Sequence, residues 1–138
     1  MNEPLRLLTG NAALQVFVSS LLGFAMLIPR QPWAKRLAPH FDQKALLSVH
    51  LDWLMLAFMQ WGAVLVMTQW PGAARPWVAW LLVLGGWLNV LPYWCRAFRI
   101  DAFVLAGRPA QVLAAAVSGL SATGLVVAWG RLVWELLG

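Results

Sequence analysis

The chain has 138 residues, of which 62% are hydrophobic and 11% charged, with a formal net charge of +5 and a mean hydropathy of +0.71. A soluble domain carries about 25% charged residues, so this composition excludes a water-soluble globular fold and points to an integral membrane protein. Excess positive charge in such a chain reports topology and contact with anionic lipid, and no nucleic-acid partner is expected.

The first apolar stretch runs from about Leu7 to Ile28 and stops at Pro29-Arg30. It is too long for the apolar region of a cleavable signal, so it is expected to remain as a helix. Asn11, Gln15, Ser19 and Gly23 recur in it at four-residue spacing, the pattern of a small and polar packing seam between membrane helices. A basic connection, Pro29 to Lys44, follows; His40 in it reads as a solvated residue, and Asp42 is placed to cap the next helix. The second span, about Ala45 to Gln69, holds His50 and Asp52. The turn Trp70 to Pro76 is rich in helix breakers. The third span, about Trp77 to Cys95, contains Pro92, which lacks an N–H and crowds the carbonyl of Leu88, so a bend is expected near Asn89. Arg96 to Pro109 forms the last connection, and the fourth span runs from about Ala110 to Gly130, followed by Arg131 and a short amphipathic end. In this span Ala115, Gly119 and Thr123, with Ser118 and Ser121 nearby, suggest a second packing seam.

Every charged residue except Asp52 lies outside these spans. The fold predicted is therefore all-α, a single transmembrane domain forming an integral membrane four-helix bundle. Seven Lys and Arg residues fall in the first and third connections, against three in the N-terminus, middle turn and C-terminus. The positive-inside tendency places the two basic connections in the cytoplasm and both termini outside. Trp33, Trp70, Trp77, Trp129 and Trp134 lie near span ends and read as interfacial anchors. Trp53, Trp61, Trp80 and Trp87 lie deeper and suit an aromatic pocket, a subunit interface or the lipid face. Cys95, the single cysteine, excludes an internal disulfide, and there is no C-x-x-C-H haem-attachment motif or C-x-x-C zinc pair.

Ionisable residues inside a span are costly and are functional candidates by default. His50 lies six residues after Lys44 and Asn89 seven before Arg96, so both sit about 10 Å below one membrane face at 1.5 Å rise per residue. Gly23, seven before Arg30, reaches a similar level. A neutral imidazole there suits an iron ligand, and one His can hold a haem from one side; the competing reading is a histidine bonded across helices or wetted by headgroups. Asp52, about 200° around the helix from His50, is directed elsewhere, toward Lys44, Arg96 or headgroup water. Gly85, Asn89, Tyr93 and Arg96 recur at spacings of four and three and form one stripe. The stripe suits a planar cofactor or aromatic ligand, or else ordinary helix packing.

The pattern Ser48-x-His50-Leu51-Asp52, with Gly86-Trp87-x-Asn89-Val90-x-x-Tyr93 in the third span, resembles the small four-helix membrane isomerases that include styrene oxide isomerase and hydroxylaminobenzene mutase. The third-span motif is closer to the first, and the Ser-x-His-Leu-acid motif and short length to the second. The resemblance implies a multi-pass protein of a bacterial inner membrane, a homotrimer binding haem b near its subunit interfaces through His50 as the iron ligand. It implies a redox-neutral Lewis-acid rearrangement of small aromatic epoxides to aldehydes, or of N-arylhydroxylamines. Tyr93 falls at a substrate-pocket tyrosine, Asn89 lies at a depth that lets it approach, and Arg96 and Lys44 stand at a height suited to haem propionates. The family asparagine six residues after the histidine is Leu56 here, which leaves the exact substrate open. The alternative of another class is a non-catalytic haem-binding or electron-transfer subunit, with Met26 or Met67 as second ligand, since Met55 and Met59 share the helix of His50 and cannot easily reach the opposite haem face; a cofactor-free anchor protein is a third.

Overall fold

A computed structural model describes residues 2–138. Among them are five α-helices and no strand: α1 (Glu3–Ala25), α2 (Gln43–Gln69), α3 (Pro76–Leu88), α4 (Leu91–Ala97) and α5 (Pro109–Leu137). With α3 and α4 acting as one broken span, four helical segments are long and apolar enough to cross a membrane: Glu3–Arg30, Gln43–Gln69, Pro76–Ala97 and Pro109–Leu137.

The bounds follow local chemistry. Asp42 accepts from the backbone N–H groups of Lys44 at 2.9 Å and Ala45 at 3.2 Å, so α2 starts at the expected cap. Proline opens α3 and α5, where its missing N–H costs nothing. The third span divides at Asn89-Val90, three residues before Pro92. The bend expected from that proline is a full interruption, because Leu88 loses the N–H partner that residue 92 would otherwise supply. Part of the basic connection Pro29 to Lys44 is wound as 3-10 turns, Ile28–Arg30 and Pro32–His40. At the other end of the chain, α5 continues past Gly130 to Leu137, where Arg131 and Glu135 form an ion pair one turn apart.

Three apolar layers stack along the bundle. Leu8, Met67, Leu82 and Leu132 fill the end near the termini. Val49, Trp53, Leu56 and Val90 fill the middle. Met26, Ala45, Leu46 and Ala97 close the end beneath the two basic connections. Asp42 N–H donates to the Ala97 carbonyl at 2.9 Å, tying the start of α2 to the end of α4. The Arg99 guanidinium reaches the Pro39 carbonyl at 2.7 Å, joining the two basic connections.

Between the first two layers lies a closed chain of amides. Trp87 Nε1 donates to Asn11 Oδ1 at 2.8 Å, Asn11 Nδ2 to Gln60 Oε1 at 2.7 Å, and Gln60 Nε2 to Gln15 Oε1 at 2.9 Å. Gln15 Nε2 ends the run on the Gly86 carbonyl. Gln15 and Gln60 are fully buried, and the network meets the need of such groups for partners where no water is available. It fixes the register of α1, α2 and α3, so the first-span seam does structural work as expected.

Candidate functional site

The next members of that seam, Ser19 and Gly23, face His50. His50 Nδ1 stands 2.8 Å from the Ser19 carbonyl and 2.9 Å from Ser19 Oγ. Ser19 Oγ spends its proton on the His50 carbonyl at 2.7 Å. A carbonyl oxygen only accepts, so Nδ1 carries the imidazole proton. Nε2 takes no hydrogen bond from the described residues. Gly23 lies flat beneath the ring: a Cβ there would come within 2.8 Å of Cε1. The ring is partly exposed, at the margin of the α1–α2 pair, and the neighbouring side chains Leu47 and Leu51 of α2 are exposed.

The remaining candidates occupy other positions. Tyr93 packs on the middle layer and meets Phe103 edge-on at 5.0 Å. Arg96 is exposed and lies over the other reach of the same Phe103 ring, 5.8 Å from its centroid. Lys44 is exposed at the first turn of α2. Asn89 ends α3, and its carbonyl accepts from Ser118 Oγ at 3.2 Å. No hydrogen bond among the described residues joins His50 to Asn89, Tyr93, Lys44 or Arg96. Asp52 makes no ion pair among the described residues; the pairing with Lys44 or Arg96 considered from sequence does not form.

Two expectations about glycine and serine change. Gly85 does not offer an open flat surface, because Leu125 of α5 occupies the space a Cβ would need. The stripe Gly85, Asn89, Tyr93, Arg96 is also broken by the Asn89-Val90 interruption. On α5, Gly119 faces open space and Thr123 bonds back to its own helix. Ser118 and Ser121 are the buried pair, donating to the carbonyls of Asn89 and Gly85. Trp80 faces outward, whereas Trp53 is buried in the middle layer, 5.3 Å from Trp87 and 5.6 Å from Trp94 between ring centroids. Its indole N–H is buried without a partner among the described residues, three residues after His50 and on the same layer as Leu56 and Tyr93.

Ser19 is the site residue that sequence reasoning missed, because the four-residue seam gave it a packing role. Its signal was present: it lies one turn before Gly23, which already shares a depth with His50. Of the methionines considered as second ligands, Met67 sits in the far apolar layer, about 25 Å along α2 from His50 at 1.5 Å per residue. Met26 is packed with Leu46 and Ala97. No group of three His, Cys, Asp or Glu side chains among the described residues could hold a metal ion together. The donor that remains is one oriented imidazole.

A family model described as styrene oxide isomerase matches residues 5–137. No curated protein and no solved structure matches the chain.

Proposed function

The chain belongs to the styrene oxide isomerase family, and from that premise we propose that it is a membrane-embedded haem b isomerase converting small aromatic epoxides to aldehydes. The observation that carries the reading is the protonation imposed on His50. Donation from Nδ1 to the Ser19 carbonyl fixes the tautomer whose free Nε2 suits an iron ligand, the arrangement by which a neighbouring group orients metal-binding histidines. Gly23 leaves room for the ring to keep that pose. A single imidazole suits a porphyrin iron held from one side. When bound, the haem would supply a Lewis acid toward the substrate oxygen.

The chain's own residues have separate tasks. His50 would hold the iron, and Arg96 and Lys44, both exposed at the same end of the bundle, would pair with the propionates. The position of His50 at the outer margin of α1 and α2 calls for a neighbouring copy to cover the site, in keeping with a homotrimer. Tyr93 presents a phenol to the substrate oxygen, and Asn89 approaches from the end of α3. The rearrangement breaks the benzylic C–O bond, moves a hydride from the terminal carbon to the benzylic carbon and closes a C=O bond. It consumes no reductant and no water. An apolar aromatic wall such as Trp53, Trp87 and Trp94 keeps water from the cationic carbon. Leu56, packed in the layer that Tyr93 joins, stands at the family's asparagine position and offers the substrate no polar contact there. The protein acts in a bacterial inner membrane.

Purified protein loaded with haem and given styrene oxide without reductant is expected to release phenylacetaldehyde. Conversion of phenylhydroxylamine instead would assign the mutase reaction to the same site. A six-coordinate, low-spin spectrum with neither conversion would support an electron-transfer subunit and overturn the isomerase reading.

A further inference from the structure

The third connection folds back over α4. Its first turn is built on Arg99, whose φ of 61° lies in the left-handed region, uncommon outside glycine. Ile100 N–H donates to the Cys95 carbonyl at 3.0 Å and Arg99 N–H to the Arg96 carbonyl at 2.8 Å, the pair of bonds that closes a helix end and reverses the chain. The Arg99 guanidinium is anchored on the Pro39 carbonyl at 2.7 Å. Two residues on, Asp101 Oδ1 accepts from Phe103 N–H at 3.1 Å, a side-chain turn that bends the backbone again. Phe103 is thereby returned to the face of α4 that carries Tyr93 and Arg96, which share that face at three-residue spacing.

The Phe103 ring meets both side chains. Tyr93 lies edge-on to it, with centroids 5.0 Å apart and planes 76° apart. The Arg96 guanidinium carbon lies over the same ring, 5.8 Å from its centroid. The Tyr93 hydroxyl makes no hydrogen bond among the described residues, so packing alone sets the direction of the phenol. Tyr93 rests on the layer of Val49, Trp53, Leu56 and Val90, and Phe103 is its aromatic partner from the connection. We propose that Phe103 is a positioning residue for the isomerisation: its ring, packed on Tyr93 and Arg96, holds the unbonded phenol in the direction from which it donates to the substrate oxygen. Edge-to-face pairs have a preferred angle, so an aromatic ring restrains the phenol in a way that an aliphatic side chain of similar bulk does not. The guanidinium over its face holds Phe103 in turn. One ring thus joins the residue that would meet the propionates to the residue that would meet the substrate. The catalytic role rests on the isomerase reading; the hold on Tyr93 does not, and is measurable without haem.

Tyr93 is the only tyrosine of the chain, so incorporation of 3-fluorotyrosine gives a single 19F NMR signal from the full chain in detergent. Phe103 is 45% exposed, and substitution there spares the core. Phe103→Leu keeps an apolar side chain and removes the ring; its 19F line is expected to narrow as the phenol gains freedom, with or without haem. Phe103→Trp, which keeps an aromatic face, is expected to restore the broad line. Asp101→Ala, which releases the Phe103 backbone and leaves the ring, is expected to act as Phe103→Leu does, to a lesser degree. At saturating haem, Phe103→Leu is expected to lower kcat on styrene oxide about tenfold with KM held within about twofold, since a misplacement of about 1 Å can cost about 100-fold; Phe103→Trp recovers most of the loss. An unchanged 19F line in Phe103→Leu overturns the hold on Tyr93, whatever the activity. A narrowed line with unaltered kcat overturns the positioning role in the reaction. Equal loss of kcat in Phe103→Leu and Phe103→Trp reduces the residue to loop packing and overturns it as well. If the unaltered protein turns over no epoxide, the isomerase reading fails by itself and takes the catalytic role with it, while the 19F comparison still decides whether Phe103 orders the phenol.

Discussion

Ser19 and His50 grip one another across α1 and α2: the serine hydroxyl donates to the histidine carbonyl at 2.7 Å, and the histidine Nδ1 donates to the serine carbonyl at 2.8 Å. The exchange sets the separation of the two helices and the tautomer of the ring together. A backbone carbonyl supplies the acceptor, so no substitution at Ser19 removes it. Ser19→Ala therefore deletes only the hydroxyl. Haem affinity is expected to fall about tenfold, the lower end for a residue that orients a metal ligand. Haem titration of the purified variant measures it; unchanged affinity would show that the hydroxyl does not support the ring.

Gly23→Leu should be more severe at the site than in the fold. Its Cβ alone would crowd His50 Cε1 at 2.8 Å, and the ring must turn away from the Ser19 carbonyl. Forcing extra carbons into a packed position costs about 1–3 kcal/mol, while haem occupancy should be lost almost completely. Resistance to unfolding in detergent and the haem-to-protein ratio separate the two effects. A variant with full haem content would contradict the placement of Gly23 beneath the ring.

The buried amides give a third expectation. Gln60→Leu strands Asn11 Nδ2 and Gln15 Oε1, and an unsatisfied buried polar group costs about 1–3 kcal/mol. The double variant Gln15→Leu/Gln60→Leu removes two amides that face each other. It is expected to lose less stability than the sum of the single changes, as coupled neighbours do. Strict additivity in unfolding measurements would argue against the network.

Much of the architecture is legible in the sequence because bilayer physics is simple. Apart from Asp52, the charges lie outside the spans read from sequence, and Asp42 and Pro92 act where their local chemistry requires. The first-span seam is legible too, since four-residue spacing places Asn11, Gln15, Ser19 and Gly23 on one face. What spacing does not reveal is the partner of that face. Ser19 meets His50 because α1 packs closely on α2 with Gly23 as the clearance, a property of two helices together. For the same reason Gly85 reads as open in sequence and is filled by Leu125 in the bundle. Likewise, the true seam of α5 runs through Ser118 and Ser121, with Gly119 left facing outward.

Tyr93→Phe tests the catalytic assignment independently of haem binding. The phenol's oxygen is the only change, so the absorbance spectrum should match the unaltered protein. Loss of a donor aimed at developing negative charge costs about 10²-fold in turnover. An unaltered rate on styrene oxide would remove Tyr93 from the reaction.

The most direct measurement is the absorbance spectrum of the protein and its His50→Ala variant, each purified in detergent after haem supplementation, alongside their turnover of styrene oxide. The unaltered protein is predicted to show a Soret band of a five-coordinate haem and to isomerise the epoxide, with the variant losing both. A variant that keeps full haem and full activity would contradict the assignment of His50 Nε2 as the iron ligand.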